Sequence, residues 1–152
     1  MMWNLKHYRP GFDPWGLGLF LLIMLPNFAW FAMPAPDDIL RTESITPLTD
    51  AIAQVFQIIM AAALCAVINV TRDSPTKRRY LAGSAACVIL YFSGWAAYYA
   101  GITGAAVILD LCLAPCGALL LWTLARQNAP ALLAAISFTV CHLISTVINF
   151  IL

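Results

Sequence analysis

Charge is what this sequence has least of. Only 10% of its 152 residues are Asp, Glu, Lys or Arg, against about 25% in a soluble domain. Hydrophobic residues make up 62%, and so thin a polar coat cannot cover the apolar surface of a soluble globule. The same composition excludes disorder and a disulfide-stapled secreted scaffold. Eight basic and seven acidic residues leave no cationic field, so nucleic acid is not an expected partner. Catalytic motifs are missing as well: there is no nucleophile elbow, HExxH, glycine-rich phosphate loop or paired acidic motif. The five cysteines, Cys65, Cys87, Cys112, Cys116 and Cys141, all lie inside apolar runs. Without CxxC or His/Cys metal spacing they read as small buried hydrophobes. No cofactor is expected, and what remains is an integral membrane protein.

Long apolar runs are what the sequence has instead. Crossing about 30 Å of hydrocarbon takes roughly 18 to 25 residues, and five segments qualify: Trp15–Met33, Pro47–Val70, Tyr80–Ala100, Gly104–Leu124 and Pro130–Leu152. Met33-Pro34-Ala35-Pro36 ends the first, Thr46-Pro47 opens the second and Pro130 starts the fifth. Gly101-Ile102-Thr103-Gly104 is a tight reversal that sets the third and fourth spans side by side and antiparallel. The expectation is one all-α domain, a bundle of five transmembrane helices over residues 1–152. Small residues at −3 and −1 of a cleavage site are lacking after the first span, which is read as a retained helix. Met1–Pro14, with Trp3, Tyr8 and Phe12 among Lys6, His7 and Arg9, reads as an interfacial segment. Asp37–Ile45 reads as a short surface helix with Arg41 one turn after Asp37 and Asp38.

Orientation follows the basic residues. Lys6, Arg9, Arg72, Lys77, Arg78, Arg79 and Arg126 fall on one side of a five-span chain; Arg41 stands alone on the other, with Asp37, Asp38, Glu43 and Asp50. The positive-inside rule then puts the N-terminus in the cytoplasm and the C-terminus outside, with a bacterial plasma (inner) membrane as the expected location.

Polar side chains inside spans are costly unless they face protein or water, so they report the interior of the bundle. Span two carries Asp50, Gln54, Gln57, Cys65 and Asn69 near helical spacing; span three carries Tyr80, Ser84, Cys87, Tyr91, Gly94 and Tyr98. Span five has His142, Ser145 or Thr146, and Asn149. Asn27 follows the kink expected at Pro26, and Asp110 lies in span four before Pro115. At about 1.5 Å per residue, Asn27, Gln57, Asp110 and Thr146 fall roughly 9 to 15 Å below the outer interface. Gln54 and Asn149 stand higher, His142 lies near the midplane, and Tyr91 and Trp95 bracket the same level. The Ser, Thr, Cys and Gly members of these stripes read as helix–helix glue. Asp110 stands apart, because a carboxylate in the bilayer costs about 2.5 to 3.5 kcal/mol and no Lys or Arg lies within a span to neutralise it.

The leading expectation is a protein that binds and moves a small solute, cation or proton through an outward-facing polar pocket centred on Asp110. Gln54, Gln57, Asn27, His142 and Asn149 would supply hydrogen bonds, with Tyr91 and Trp95 as an apolar wall. Five helices make a narrow bundle, which points to a homo-oligomer for any transport path. The alternative is a non-catalytic accessory subunit whose polar stripes face partner helices. A third reading is an intramembrane enzyme using Asp110 and His142.

Overall fold

The computed structural model of the protein describes residues 7–70 and 77–152. Its elements are β1 (Tyr8–Pro10), α1 (Pro14–Ala32), a 3-10 turn at Ile39–Arg41, α2 (Pro47–Ala66), β2 (Val67–Asn69), α3 (Lys77–Tyr99), α4 (Ala105–Ala125) and α5 (Ala129–Phe150). All five α-helices are long and apolar enough to cross a membrane. Large apolar side chains such as Leu21, Phe28, Ile58 and Ile89 stand exposed around the bundle.

Local chemistry sets the helix starts. The Asp13 carboxylate accepts from the Trp15 N–H at 3.2 Å, with Pro14 as the first helical residue. Pro47 opens α2 after Thr46, and Asn128 caps α5 by accepting from the Ala131 N–H at 3.1 Å. Such caps satisfy N–H groups that have no partner within the helix, and proline there loses nothing. Gly101 turns the chain between α3 and α4 at φ +83°, a conformation open to glycine at no steric cost.

Two helix pairs make the core. α3 lies along α4, α2 lies along α5, and α4 against α5 joins the pairs. Small residues let α3 and α4 approach closely: a Cβ on Gly83 would stand 3.0 Å from Leu121, and one on Gly117 would stand 3.2 Å from the Cys87 sulfur. Ser84 adds a hydrogen bond across the seam to the Ala118 carbonyl (2.8 Å).

α1 is packed far more lightly against α2, α3 and α4, and is held at a few points. At the end of the bundle that carries Arg9 and Lys77, the Asp13 carboxylate pairs with Arg126 (Nε 2.8 Å), while the Gly11 and Asp13 N–H groups donate to the carbonyls of Ala66 and Cys65. At the opposite end, Trp30 Nε1 donates to Asp38 (2.8 Å), Arg41 to the Trp30 carbonyl (2.6 Å) and Tyr99 to the Met33 carbonyl (2.7 Å). We call these the basic and acidic ends.

Several boundaries differ from the sequence expectation. The second run does not continue as helix to Val70: α2 stops at Ala66, and Val67–Asn69 pairs antiparallel with Tyr8–Pro10, Arg9 opposite Ile68. The expected interfacial segment is therefore partly a strand; its residues 1–6 lie outside the described ones. Asn128 closes this end by donating to the carbonyls of Ala63 (2.9 Å) and Val67 (3.0 Å). The expected surface helix over Asp37–Ile45 is reduced to the single 3-10 turn.

Candidate functional site

Because α1 stands off from the rest, a cavity of about 410 Å³ is left between it and α2, floored by α4 and α5. That volume lies in the range of about 300–1,000 Å³ typical of small-molecule sites. From α1 it is lined by Phe20, Ile23, Met24, Asn27, Trp30 and Phe31; from α2 by Asp50, Ala53, Gln54 and Gln57. Tyr91 of α3, Leu111, Pro115 and Leu119 of α4, and Phe138 and His142 of α5 complete it.

The polar groups have distinct supports. Asn27, one residue past the helix-breaking Pro26, donates to the Tyr91 hydroxyl at 2.9 Å and to the Ile23 carbonyl at 3.3 Å. Its amide thereby ties α1 to α3 at the level of the cavity. The Gln57 amide lies 3.8 Å from the Met24 sulfur, a weak contact that closes the α1–α2 gap at that level. His142 stacks on Phe138, with centroids 5.1 Å apart and planes at 12°, and Asp50 lines the same cavity. Asp50 itself accepts from the Ser44 hydroxyl. Among the described residues neither His142 nor Gln54 makes a hydrogen bond, so an imidazole and a full amide remain available to a ligand.

Five of the eight residues expected at a site (Asn27, Gln54, Gln57, Tyr91 and His142) thus meet around one cavity. Trp95 does not line it but borders a smaller adjoining space of about 120 Å³, together with Cys112 and Thr146. It is 6% exposed and meets Tyr91 edge to face at 6.3 Å, so it is a core residue and not a member of a lipid-facing belt.

Asp110, expected at the centre, does not line the cavity. Its carboxylate fills the space that Gly94 leaves on α3, and its Oδ2 is buried without a hydrogen-bond partner. No hydrogen bond joins Asp110 to His142 among the described residues. Asn149 is also elsewhere. It accepts from the Ile45 N–H (2.7 Å) and donates to the Thr46 hydroxyl (2.6 Å) and the Ser145 carbonyl (2.7 Å), pinning the α1–α2 loop to α5.

Asp50, Trp30 and Phe138 line the cavity without having been expected there. Asp50 had a signal, since Asp50, Gln54 and Gln57 follow one another at i, i+4, i+7. Trp30 is positioned by Asp38, which accepts from its indole at 2.8 Å, from Tyr98 at 2.8 Å, from Arg41 at 2.8 Å and from the Ala35 N–H at 3.3 Å. Partial burial alone would raise the Asp38 pKa; the hydrogen bonds from Trp30, Tyr98, Arg41 and Ala35 outweigh it and hold the carboxyl below its ordinary value.

Among the described residues no three His, Cys, Asp or Glu side chains come together to hold a metal ion. Compared with protein-family models, with curated proteins and with solved structures, the chain matches none of them.

Proposed function

We propose that the chain is an integral membrane protein of a bacterial plasma membrane, basic end in the cytoplasm and acidic end outside, that binds and moves a small solute or cation. The binding site is the cavity between α1 and α2, recentred from Asp110 onto Asn27, Gln57 and His142. One observation carries the reading: four helices deliver Asn27, Gln54, Gln57, Tyr91 and His142 to a single cavity of about 410 Å³, and His142 and Gln54 keep unused hydrogen-bonding capacity. Asn27 and Tyr91 meet as helix–helix glue does, but Gln54 and His142 have no such partner among the described residues and face the cavity instead. The light packing of α1 supports movement, because an element held at its two ends and at Asn27 can shift without dismantling the α2–α5 and α3–α4 pairs.

The test is a melting-temperature screen of the purified protein against small amines, inorganic cations and neutral polar solutes. A binder should raise the melting temperature of the unaltered chain, as mass action requires. It should do so no longer in His142→Phe, which keeps an aromatic ring against Phe138. Uptake of that same solute into vesicles then tests movement. An accessory-subunit role is the second reading, favoured by Gln54, a polar side chain exposed on α2 with no hydrogen-bond partner among the described residues. It predicts no stabilising solute and a chain that is stable only with its partner.

A further inference from the structure

We infer that the ligand is a single-chain amphiphile carried by the bilayer, with a neutral or cationic head, and that it enters sideways between α1 and α2. The inference rests on the cavity being a binding site and adds the class of ligand and its route.

The cavity is graded along the helix axes. Counted from the acidic end at about 1.5 Å per residue, Trp30 and Asp50 lie roughly 3 to 5 Å in, and Asn27, Gln54 and His142 roughly 7 to 12 Å in. Gln57 stands below them at roughly 15 Å, and past it the lining is apolar: Phe138, Phe20 and Leu119 lie roughly 18 to 21 Å in. A polar head level with Asp50 and Gln54 and a chain running inward would match both zones. That is also the alignment of an amphiphile in the leaflet at this end of the bundle.

The opening faces the side of the bundle. Phe31 of α1 is 68% exposed and Gln54 of α2 is exposed, yet both line the cavity. A glutamine on an outward face of a span is costly in hydrocarbon, and a polar head passing between the helices would give it a partner. No residue of the α1–α2 loop lines the cavity, and the loop is pinned to Tyr98 by the Leu40 N–H (3.1 Å) and to α5 by Asn149.

Charge selects the head. Asp50, Tyr91 and His142 are the ionisable groups of the lining, and no Lys or Arg is among them. Arg41, the cation at this end, is held by Asp38 at 2.8 Å and over the Trp30 ring at 4.8 Å. A carboxylate or phosphate head finds no counter-charge here; an amine or a hydroxyl finds Asp50 and the amides.

The experiment uses the full chain in phosphatidylcholine vesicles, with Trp3, Trp15, Trp95 and Trp122 replaced by Phe so that Trp30 alone fluoresces. The probes are dodecylamine, dodecanol and dodecanoate carrying a nitroxide on a carbon beside the head, which quenches indole on contact at the level of Trp30, and the short water-soluble 4-amino-TEMPO. The amine and the alcohol should quench Trp30 saturably, the amine at about tenfold lower membrane content than the carboxylate, a difference of about 1.4 kcal/mol. Quenching should follow the mole fraction of probe in the vesicles and not its aqueous concentration, so that doubling the lipid at a fixed total of probe lowers the saturation. The unaltered chain, read by melting temperature with the same probes, covers a failure of the Trp30 variant to fold. If the carboxylate binds as well as the amine, the head assignment is overturned. Quenching that follows aqueous concentration, or that the short water-soluble amine gives at the same concentration as the long-chain amine, would overturn the amphiphile and its route while leaving a solute site intact. No saturable response to any probe, by either readout, would overturn this inference and the cavity's binding role together.

Discussion

Asp110 presses its carboxylate into the space that a side chain at position 94 would occupy. Any Cβ there must displace it, and the α3–α4 seam offers little room. Gly94→Ala should therefore cost about 1–3 kcal/mol, as overpacking of a tight interface does, and adding Asp110→Ala should recover much of the loss; additive effects in thermal melts of the four variants would show that the two positions are independent. Asp110→Asn should fold as well as the parent or better, since a neutral amide is cheaper to insert, and should leave binding at the α1–α2 cavity unchanged. Asp38 makes a second residue-level prediction, through pH. Its folded pKa lies below the unfolded value of about 3.9, so the stability it contributes is fully present above that value and is lost as pH falls through the folded one. Melting temperatures measured from neutral pH downward should show Asp38→Asn less stable than the parent at pH 7, with the gap closing below about pH 4.

Among the elements, α1 depends most on single contacts, and the Asp13–Arg126 pair is the strongest of them. Both side chains are largely buried, 6% and 19% exposed. Removing one partner of such a pair leaves an uncompensated buried charge and costs about 3–5 kcal/mol, while removing both costs much less. Arg126→Met should thus destabilise severely, and Asp13→Asn with Arg126→Met should be milder than Arg126→Met alone; the reverse order in a melting series would mean that the pair does not anchor α1. The existence of α1 was legible in its apolar run, though the expected interfacial segment ran through Pro14, the residue that Asp13 caps as the first of the helix. Its loose seating was not, because hydropathy gives length and face but not how closely a neighbour approaches. Strand β2 was hidden for a related reason: Val67-Ile68 reads equally well as the last turn of a buried helix, and only its pairing with Arg9 and Pro10, far away in sequence, decides for a strand.

For the whole molecule, depth was more legible than direction. Asn27, Gln57 and His142 were placed at neighbouring levels by counting residues, and they line one cavity. Asp110 was placed at a similar level, but its azimuth turns it toward Gly94 and away from the cavity, and one sequence does not say which helix faces which side of α4. The distribution of charge needs no such knowledge. Among the described residues Arg9, Lys77, Arg78, Arg79 and Arg126 belong to one end of the bundle, and Arg41 alone to the other. If the positive-inside rule governs insertion, position 77 is cytoplasmic and position 43 external. In a cysteine-free background, Glu43→Cys should react with an impermeant maleimide on intact cells, and Lys77→Cys only after permeabilisation. Glu43 is exposed on the loop after the 3-10 turn, so failure to label there cannot be blamed on burial. Labelling of Lys77→Cys on intact cells would invert the chain, turn the polar zone around Asp50 and Gln54 toward the cytoplasmic leaflet, and require the amphiphile to be sought in that leaflet instead.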